Sequence, residues 1–375
     1  MTTTTKVIPV AAPTLSGNEA KYVMDCLDST WISSTGKYIE LFEDAFAQFC
    51  GVKHAITCSN GTTALHLALL GLGLQPGDEV IVPTLTFIAS ANAVVYCGGQ
   101  PVFVDVDPDI WSIDPSQIEA RITPRTRGII AVHLAGHPAD MDAILHIARR
   151  HSLFVLEDAA QAHGATVNGR RVGSIGDIGS FSFFGNKIIS TGEGGMITTN
   201  DEAMARKIRL LKNHGMDPAR RYWHPVVGYN FRMTNIQAAI GLAQVERVGW
   251  QLERRRELVS WYAEDLAGMP EITWQREKRW ARHVWWMFTA VLGDRFGDRE
   301  AIMVRLKERG IETRGVVYPM HQLPPYQDAA RGARFPVADR LSARGVNLPT
   351  WAGVTREDVR YICQSLLECS ARTAS

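Results

Sequence analysis

No stretch of this chain stays apolar long enough to read as a membrane-spanning helix. The longest uncharged run, Val80 to Val104, is broken by Pro83, Asn92, Gly98, Gly99 and Pro101, whereas a span needs roughly 20 predominantly apolar residues. It reads as strand, loop, helix, turn and strand within a buried core. Cysteine is scarce: Cys26, Cys50, Cys58, Cys97, Cys363 and Cys369 are scattered without a C-x-x-C pair. That pattern argues for buried, reduced thiols rather than a disulfide framework or a zinc site. An excess of charge is missing too. Forty basic side chains meet 39 acidic ones for a net of +1, so no overall field draws the protein to nucleic acid or an anionic membrane. Met1 to Lys6 carry no apolar signal-peptide core, and the expected location is the cytoplasm. No internal repeat is visible. A dinucleotide fingerprint is absent, because Gly71-Leu72-Gly73 before Gln75-Pro76-Gly77 is a helix stop and a turn.

Apolar material is plentiful. Hydrophobic residues make up 46% and charged residues 21% of 375, the composition of a well-buried globular protein whose length predicts two domains. Short apolar runs alternate with helical patterns: strands are expected at 54–58, 79–82, 101–106, 128–134 and 153–157, and helices at 62–72, 89–96 and 141–150. Such alternation predicts an α/β fold with a mostly parallel sheet and helices on both faces. Two more strands, 179–184 and 195–199, have no helix between them and are expected to pair as a hairpin-like unit. One long helix is expected from Asn235 to about Ala267, with Glu253-Arg254-Arg255-Arg256-Glu257 on a solvated face. Strand 284–292, helix 299–309 and strand 312–317 then predict a smaller C-terminal α/β domain. The division is 1–245, a large domain with an N-terminal arm, and 246–375. Ser370 to Ser375 reads as a loose tail.

Three groups of residues invite chemistry. Ser59-Asn60-Gly61-Thr62-Thr63 joins a strand to an apolar helix, where free amides and the helix dipole favour an anion; taken alone, the stretch reads more simply as an ordinary helix entry with Thr or Asn as cap. Glu157-Asp158 ends a strand, at the edge where open α/β sheets bind ligands; a carboxylate there can hold a cationic ring nitrogen or merely cap the next segment. Lys187 follows the aromatic strand Ser180 to Phe184 and precedes Ile188-Ile189, a setting that desolvates the amine and frees it as a nucleophile. An amine, a ring-nitrogen carboxylate and an anion cradle are together what pyridoxal 5'-phosphate (PLP) needs.

The stretches Trp31-Ile32-Ser33-Ser34, Asn60 to His66, Glu157-Asp158-Ala159-Ala160, Phe183 to Lys187 and Arg232 to Gln237, in that order, resemble the fold-type I PLP-dependent sugar aminotransferases. The resemblance implies that Lys187 is the catalytic lysine that holds the cofactor and carries protons, and that Asp158 pairs with the ring nitrogen. It implies that Gly61, Thr62 and Ser182 hold the phosphate, with Asn235 reaching it from a neighbouring subunit of a homodimer. Phe87 is to stack on the ring, and Gln161 is to approach its phenolic oxygen. The implied substrates are a nucleotide-linked keto-deoxysugar, with GDP-4-keto-6-deoxymannose foremost, and an amino acid, glutamate, as donor. His133 to His137 and the segment with Tyr318 and His321 are candidates for the sugar pocket. As metal ligands His133 and His137 are weak, since Gly136 and Pro138 deny them a helical face, and no metal is expected. Arg220 to His224 reads either as a diphosphate and base contact or as an exposed loop. A 3-keto-sugar or keto-cyclitol aminotransferase, and a non-catalytic PLP-binding regulator, are the rivals.

Overall fold

A computed structural model describes residues 7–371. Helices α1 (Glu19–Asp28) and α2 (Lys37–Cys50) precede a run in which strands and helices alternate: β1 (His54–Cys58), α3 (Gly61–Leu72), β2 (Glu79–Pro83), α4 (Ala89–Tyr96), β3 (Gln100–Val104), β4 (Thr126–Val132), α5 (Met141–Arg150) and β5 (Phe154–Asp158). A ribbon, β6 (Thr166–Val167) and β7 (Arg170–Arg171), is followed by β8 (Ile178–Ser182), β9 (Gly195–Thr199) and α6 (Glu202–Lys212). Strands β1-β9-β8-β5-β4-β2-β3 form one sheet. All run parallel except β9, which pairs antiparallel with β8 and β1, as expected of two strands with no crossover helix between them.

Alternate residues of these strands feed two cores. Ile81, Ile129, Val155 and Phe181 pack beneath α2, α5 and α7 (Asn235–Glu246), while Val80, Ile130, Leu156 and Ile178 pack beneath α3, α4 and α6. Burial on both faces explains the nearly continuous apolar runs. The six cysteines are free and buried. Among the described residues, no helix is long and apolar enough to cross a membrane, and no cluster suited to a metal ion occurs.

A third core is built by α8 (Val248–Asp265), β12 (Phe288–Leu292), α9 (Arg299–Glu308), β14 (Gly345–Leu348) and α11 (Arg356–Ala371). Here β10 (Ile272–Thr273), β12, β14 and β13 (Arg314–Gly315) form an antiparallel sheet in the order β10-β12-β14-β13, and β11 (Ala281–Arg282) joins the ribbon β6–β7. Helix α10 (Pro336–Arg344) returns to the central sheet: Asp105 accepts the backbone N–H groups of Val337 and Ala338. The N-terminal segment joins this half, with Ile8 bridging Ile311 and Thr350 N–H donating to Val10.

Several expectations require correction. The helix expected from Asn235 to Ala267 is two helices, because Arg247 leaves helical geometry (φ −112°, ψ 3°); apolar periodicity cannot register a one-residue break. Arg255 is not on a solvated face. It is buried among carbonyl groups. Strand 284–292 starts only at Phe288, since Val284 and Met287 donate to Gly136 and Ala135 of the loop after β4. Strand 312–317 shrinks to Arg314–Gly315, because the chain then turns toward the central sheet, where Met320 N–H meets the Thr84 carbonyl. The tail placed at Ser370 begins inside α11; residues 372–375 lie outside the described residues.

Candidate active site

Ligands in open parallel sheets sit beyond the carboxyl ends of the strands. Here the ends of β1, β2, β4, β5 and β8 open into one cavity of about 610 Å³, whose remaining wall comes from β12, β13 and β14. Gly61, Thr62, Phe87, Asp158, Gln161, Ser182 and Lys187 all line it. Seven residues, spread over more than a hundred positions, meet in one space.

The turn after β1 caps α3 and leaves two amides beside the cap. Asn60 caps α3 by accepting the Thr63 N–H at 2.9 Å, and the Thr63 hydroxyl accepts the Asn60 N–H. The N–H groups of Gly61 and Thr62 have no acceptor among the described residues. Two free amides at the positive end of a twelve-residue helix form an anion seat. Gly61 is required sterically, since a Cβ there would lie 2.6 Å from the Ser182 Cβ.

Asp158 is buried at the end of β5. The Ser90 hydroxyl donates to its Oδ2 at 2.7 Å and the Ala160 N–H to Oδ1 at 3.2 Å. The neighbouring Glu157 faces away and is consumed by structure: it accepts the N–H groups of Gly173, Ile175 and Gly176. His133 Nε2 lies 3.0 Å from it, and His133 Nδ1 accepts the Ala139 N–H, so the ring is a structural strut. Between the adjacent carboxylates, only Asp158 lines the cavity.

Lys187 lies in the loop after β8, held by its N–H to Phe184 O at 2.9 Å. Burial of its ammonium lowers the pKa to about 8, with the charge of Asp158 pulling upward. The ring of Trp286 lies 4.1 Å from Nζ, and the Trp286 indole N–H donates to the Asn186 carbonyl at 2.9 Å. Trp286 in turn hangs from Arg255, whose guanidinium donates to the Trp286 and Thr350 carbonyls at 3.1 and 2.6 Å. No local pattern signals this chain of contacts, because its members meet only in the folded chain. Ser90 carries no such signal either, whereas Phe184 and Asn186 stand within the Phe183 to Lys187 stretch that carries the resemblance.

Gln161 Oε1 accepts the Ala135 N–H at 2.8 Å, which leaves the donating end of its amide for a ligand. Phe87 is 57% exposed, its ring open toward the cavity it lines. Three candidates stand apart. Tyr318 is 63% exposed and does not line the cavity. His321 is locked between the Thr84 hydroxyl at 2.8 Å and Asp339 Oδ1 at 2.9 Å, stacked on Phe335. Asn235 is buried elsewhere, and its amide is committed within its own chain, accepting the Tyr38 N–H and donating to the Trp31 carbonyl. Arg220 to His224 form an exposed loop, with Arg220 over Trp223 and Arg221 over Tyr222.

The donor set fits PLP. An amine depressed toward neutrality, a buried carboxylate fixed by a hydroxyl, and an anion seat with unspent amides share one cavity. Asn186 Oδ1, buried next to Lys187 in the chain and without a hydrogen-bond partner among the described residues, adds an acceptor.

Comparison with known proteins agrees. The DegT/DnrJ/EryC1/StrS aminotransferase family matches residues 13–367. The chain is 55% identical over 361 residues to the GDP-perosamine synthase of Caulobacter vibrioides, covering 96% of this chain and 97% of that one. It is 48% identical over 363 residues to the GDP-perosamine synthase of Escherichia coli O157:H7, covering 97% and 98%. The solved structure of S. venezuelae DesV in complex with a ketimine intermediate is 36% identical, with a TM-score of 0.88 and 94% of each chain covered. The chain belongs to the DegT/DnrJ/EryC1/StrS aminotransferase family and is a PLP-dependent sugar aminotransferase.

Proposed function

We propose that the acceptor is GDP-4-keto-6-deoxymannose, which the enzyme converts to its 4-amino sugar with glutamate as donor, in the cytoplasm. Near-full-length identity to GDP-perosamine synthases carries the choice of sugar. The convergence of Lys187, Asp158 and the Gly61–Ser182 cradle on one cavity supports the roles given to the individual residues.

When bound, PLP supplies an aldehyde that exchanges amines and a ring that accepts the electron pair released at the substrate carbon. Every other part falls to the chain. The Gly61 and Thr62 amides, with the Ser182 hydroxyl, anchor the phosphate, and Phe87 covers the ring. Asp158 holds the proton on the ring nitrogen, and its bond from Ser90 keeps that carboxylate oriented. Such fixed charge stabilises developing carbanion character without reorganising at the moment of reaction. Lys187 would take the proton from the donor's α-carbon at Nζ. On the sugar side it returns a proton to the carbon that was the ketone. A pKa near 8 suits a group that must both take and give a proton near neutrality.

Residues 1–245 and 246–375 serve as the two halves of the cleft, and the working unit is a homodimer. Asn235 contributes to it by organising residues 31–38, a segment on which Trp31 and Ile32 are exposed apolar groups.

The test is to load the protein with pyridoxamine phosphate and offer nucleotide-linked 4-keto sugars, 3-keto sugars and keto-cyclitols. Return of the aldehyde absorbance with GDP-4-keto-6-deoxymannose is expected. Return only with a 3-keto sugar or a cyclitol overturns the assignment.

A further inference from the structure

The cavity contains two bases, Lys187 and Arg314, and two acids, Asp158 and Glu193. Lys187 and Asp158 are occupied by the chemistry above. Arg314 is not. It makes no side-chain hydrogen bond or ion pair among the described residues, although it opens β13 on the wall opposite the sheet ends.

Its setting is built rather than incidental. In the C-terminal sheet Arg314 pairs in register with Asn347 of β14, and Asn347 pairs with Thr289 of β12. Directly paired residues of adjacent strands point to the same face, so hydroxyl, amide and guanidinium form one row across three strands. All three line the cavity. The row is internally tied: Thr289 Oγ1 donates to Asn347 Oδ1 at 2.5 Å, which turns the amide NH₂ outward, held only by a 3.5 Å contact to the Gly315 carbonyl. The next residue, Gly315, takes the opposite face, where a Cβ would meet the Arg299 guanidinium at 2.8–3.0 Å. Arg314 is thus directed toward the cavity by strand alternation.

We propose that Thr289, Asn347 and Arg314 form the subsite for the α-carboxylate of the amino-acid donor, an inference that rests on the aminotransferase reading above. Two chemical facts select this anion. The α-carboxylate is bonded directly to the carbon that loses its proton, so it must lie inside the same cavity as Lys187; a nucleotide diphosphate is attached at the far side of the sugar from the ketone. The row also offers one positive charge and a planar fork of donors, which match one carboxylate with two oxygens rather than a multiply charged diphosphate. The cofactor phosphate has its own seat at α3.

The holoenzyme is tested with Arg314→Ala, Arg314→Lys and Asn347→Asp, following each half-reaction separately in single turnovers. Arg314 is exposed, so its variants keep the fold. Arg314→Ala should raise the half-saturating glutamate concentration about 10–100-fold and leave the keto-sugar half-reaction within about twofold. Arg314→Lys keeps the charge but not the fork and should recover only part of the loss. Asn347→Asp places a carboxylate against the guanidinium and should imitate Arg314→Ala. Binding of glutarate, which lacks the amine, is followed through tryptophan fluorescence and should weaken in parallel. That measurement needs no turnover, so it judges Arg314 even if wild-type enzyme transfers no amine from glutamate, a result that would count against the donor assignment instead. Unchanged glutamate and glutarate affinity, equal losses in both half-reactions, or a loss confined to the sugar half-reaction would each overturn the proposal.

Discussion

Replacing Lys187 by methionine should stabilise the cofactor-free protein at neutral pH while ending its chemistry. Burial lowers the Lys187 pKa from 10.5 to about 8, opposed in part by Asp158. The unfolded chain therefore holds this proton more tightly than the folded one. Folding bears the full cost below pH 8, and the cost fades as pH rises from about 8 to about 10.5. At roughly 1.4 kcal/mol per pH unit, that interval amounts to about 3 kcal/mol. Partial opening of the side chain to the cavity reduces the working figure to ~2 kcal/mol. Methionine has a similar length, no charge, and a sulfur suited to the face of Trp286, which lies 4.1 Å from Nζ. Denaturant unfolding of cofactor-free wild type and variant at pH 7 and at pH 11 provides the assay. The variant should be more stable by ~2 kcal/mol at pH 7, with the gap closing at pH 11. Equal stability at pH 7, or a gap that ignores pH, would refute the claim that Lys187 is desolvated.

The parts of this molecule that were legible in the sequence are those governed by local pattern. The strands at 54–58 and 195–199 and the helices at 89–96 and 141–150 have the expected bounds, because apolar alternation, caps and turns determine them within a few residues. The cradle at Gly61, the carboxylate at Asp158 and the amine at Lys187 were legible as residue types at strand ends. Their meeting in one cavity depends on strand order, which no local pattern encodes. Arg255 exemplifies what stays hidden. Flanked by Arg254, Arg256 and two glutamates, it has the neighbourhood of a solvated face, yet the helix buries it against partners 30 and 95 residues away. The wall contributed by Thr289, Arg314 and Asn347 is hidden for the same reason: its residues share a row only after β12, β14 and β13 have paired. His321 shows another side of the same limit. A histidine in a proline-rich stretch between two halves invites a ligand, but Thr84 and Asp339 use both its nitrogens.

Asp158→Asn should lower turnover by about 10²–10³, or roughly 3–4 kcal/mol, with the Ala160 N–H still able to reach the amide oxygen and the Ser90 hydroxyl turning to accept from the amide NH₂; near-normal turnover would reduce Asp158 to a cap. Gly61→Ala should weaken retention of PLP during dialysis, because its methyl would press on Ser182 at 2.6 Å, and undiminished retention would show that the α3 terminus does not seat the phosphate. Arg255→Met removes a guanidinium whose pKa burial already lowers to about 10, and leaves the Trp286 and Thr350 carbonyls short of a donor. Replacing a buried charge by an apolar chain can be neutral when its partners go too, but here the partners are backbone groups that remain, at about 1–3 kcal/mol for each one left unsatisfied. Stability should fall by ~2–4 kcal/mol, and Trp286, no longer held, should release Lys187 from its ring. The pH at which Lys187 reacts half-maximally with an acylating reagent in the cofactor-free protein should then move away from about 8, a displacement that a loss of packing alone would not produce. Wild-type stability together with an unmoved reactivity profile would show that Arg255 fills space without positioning the lysine.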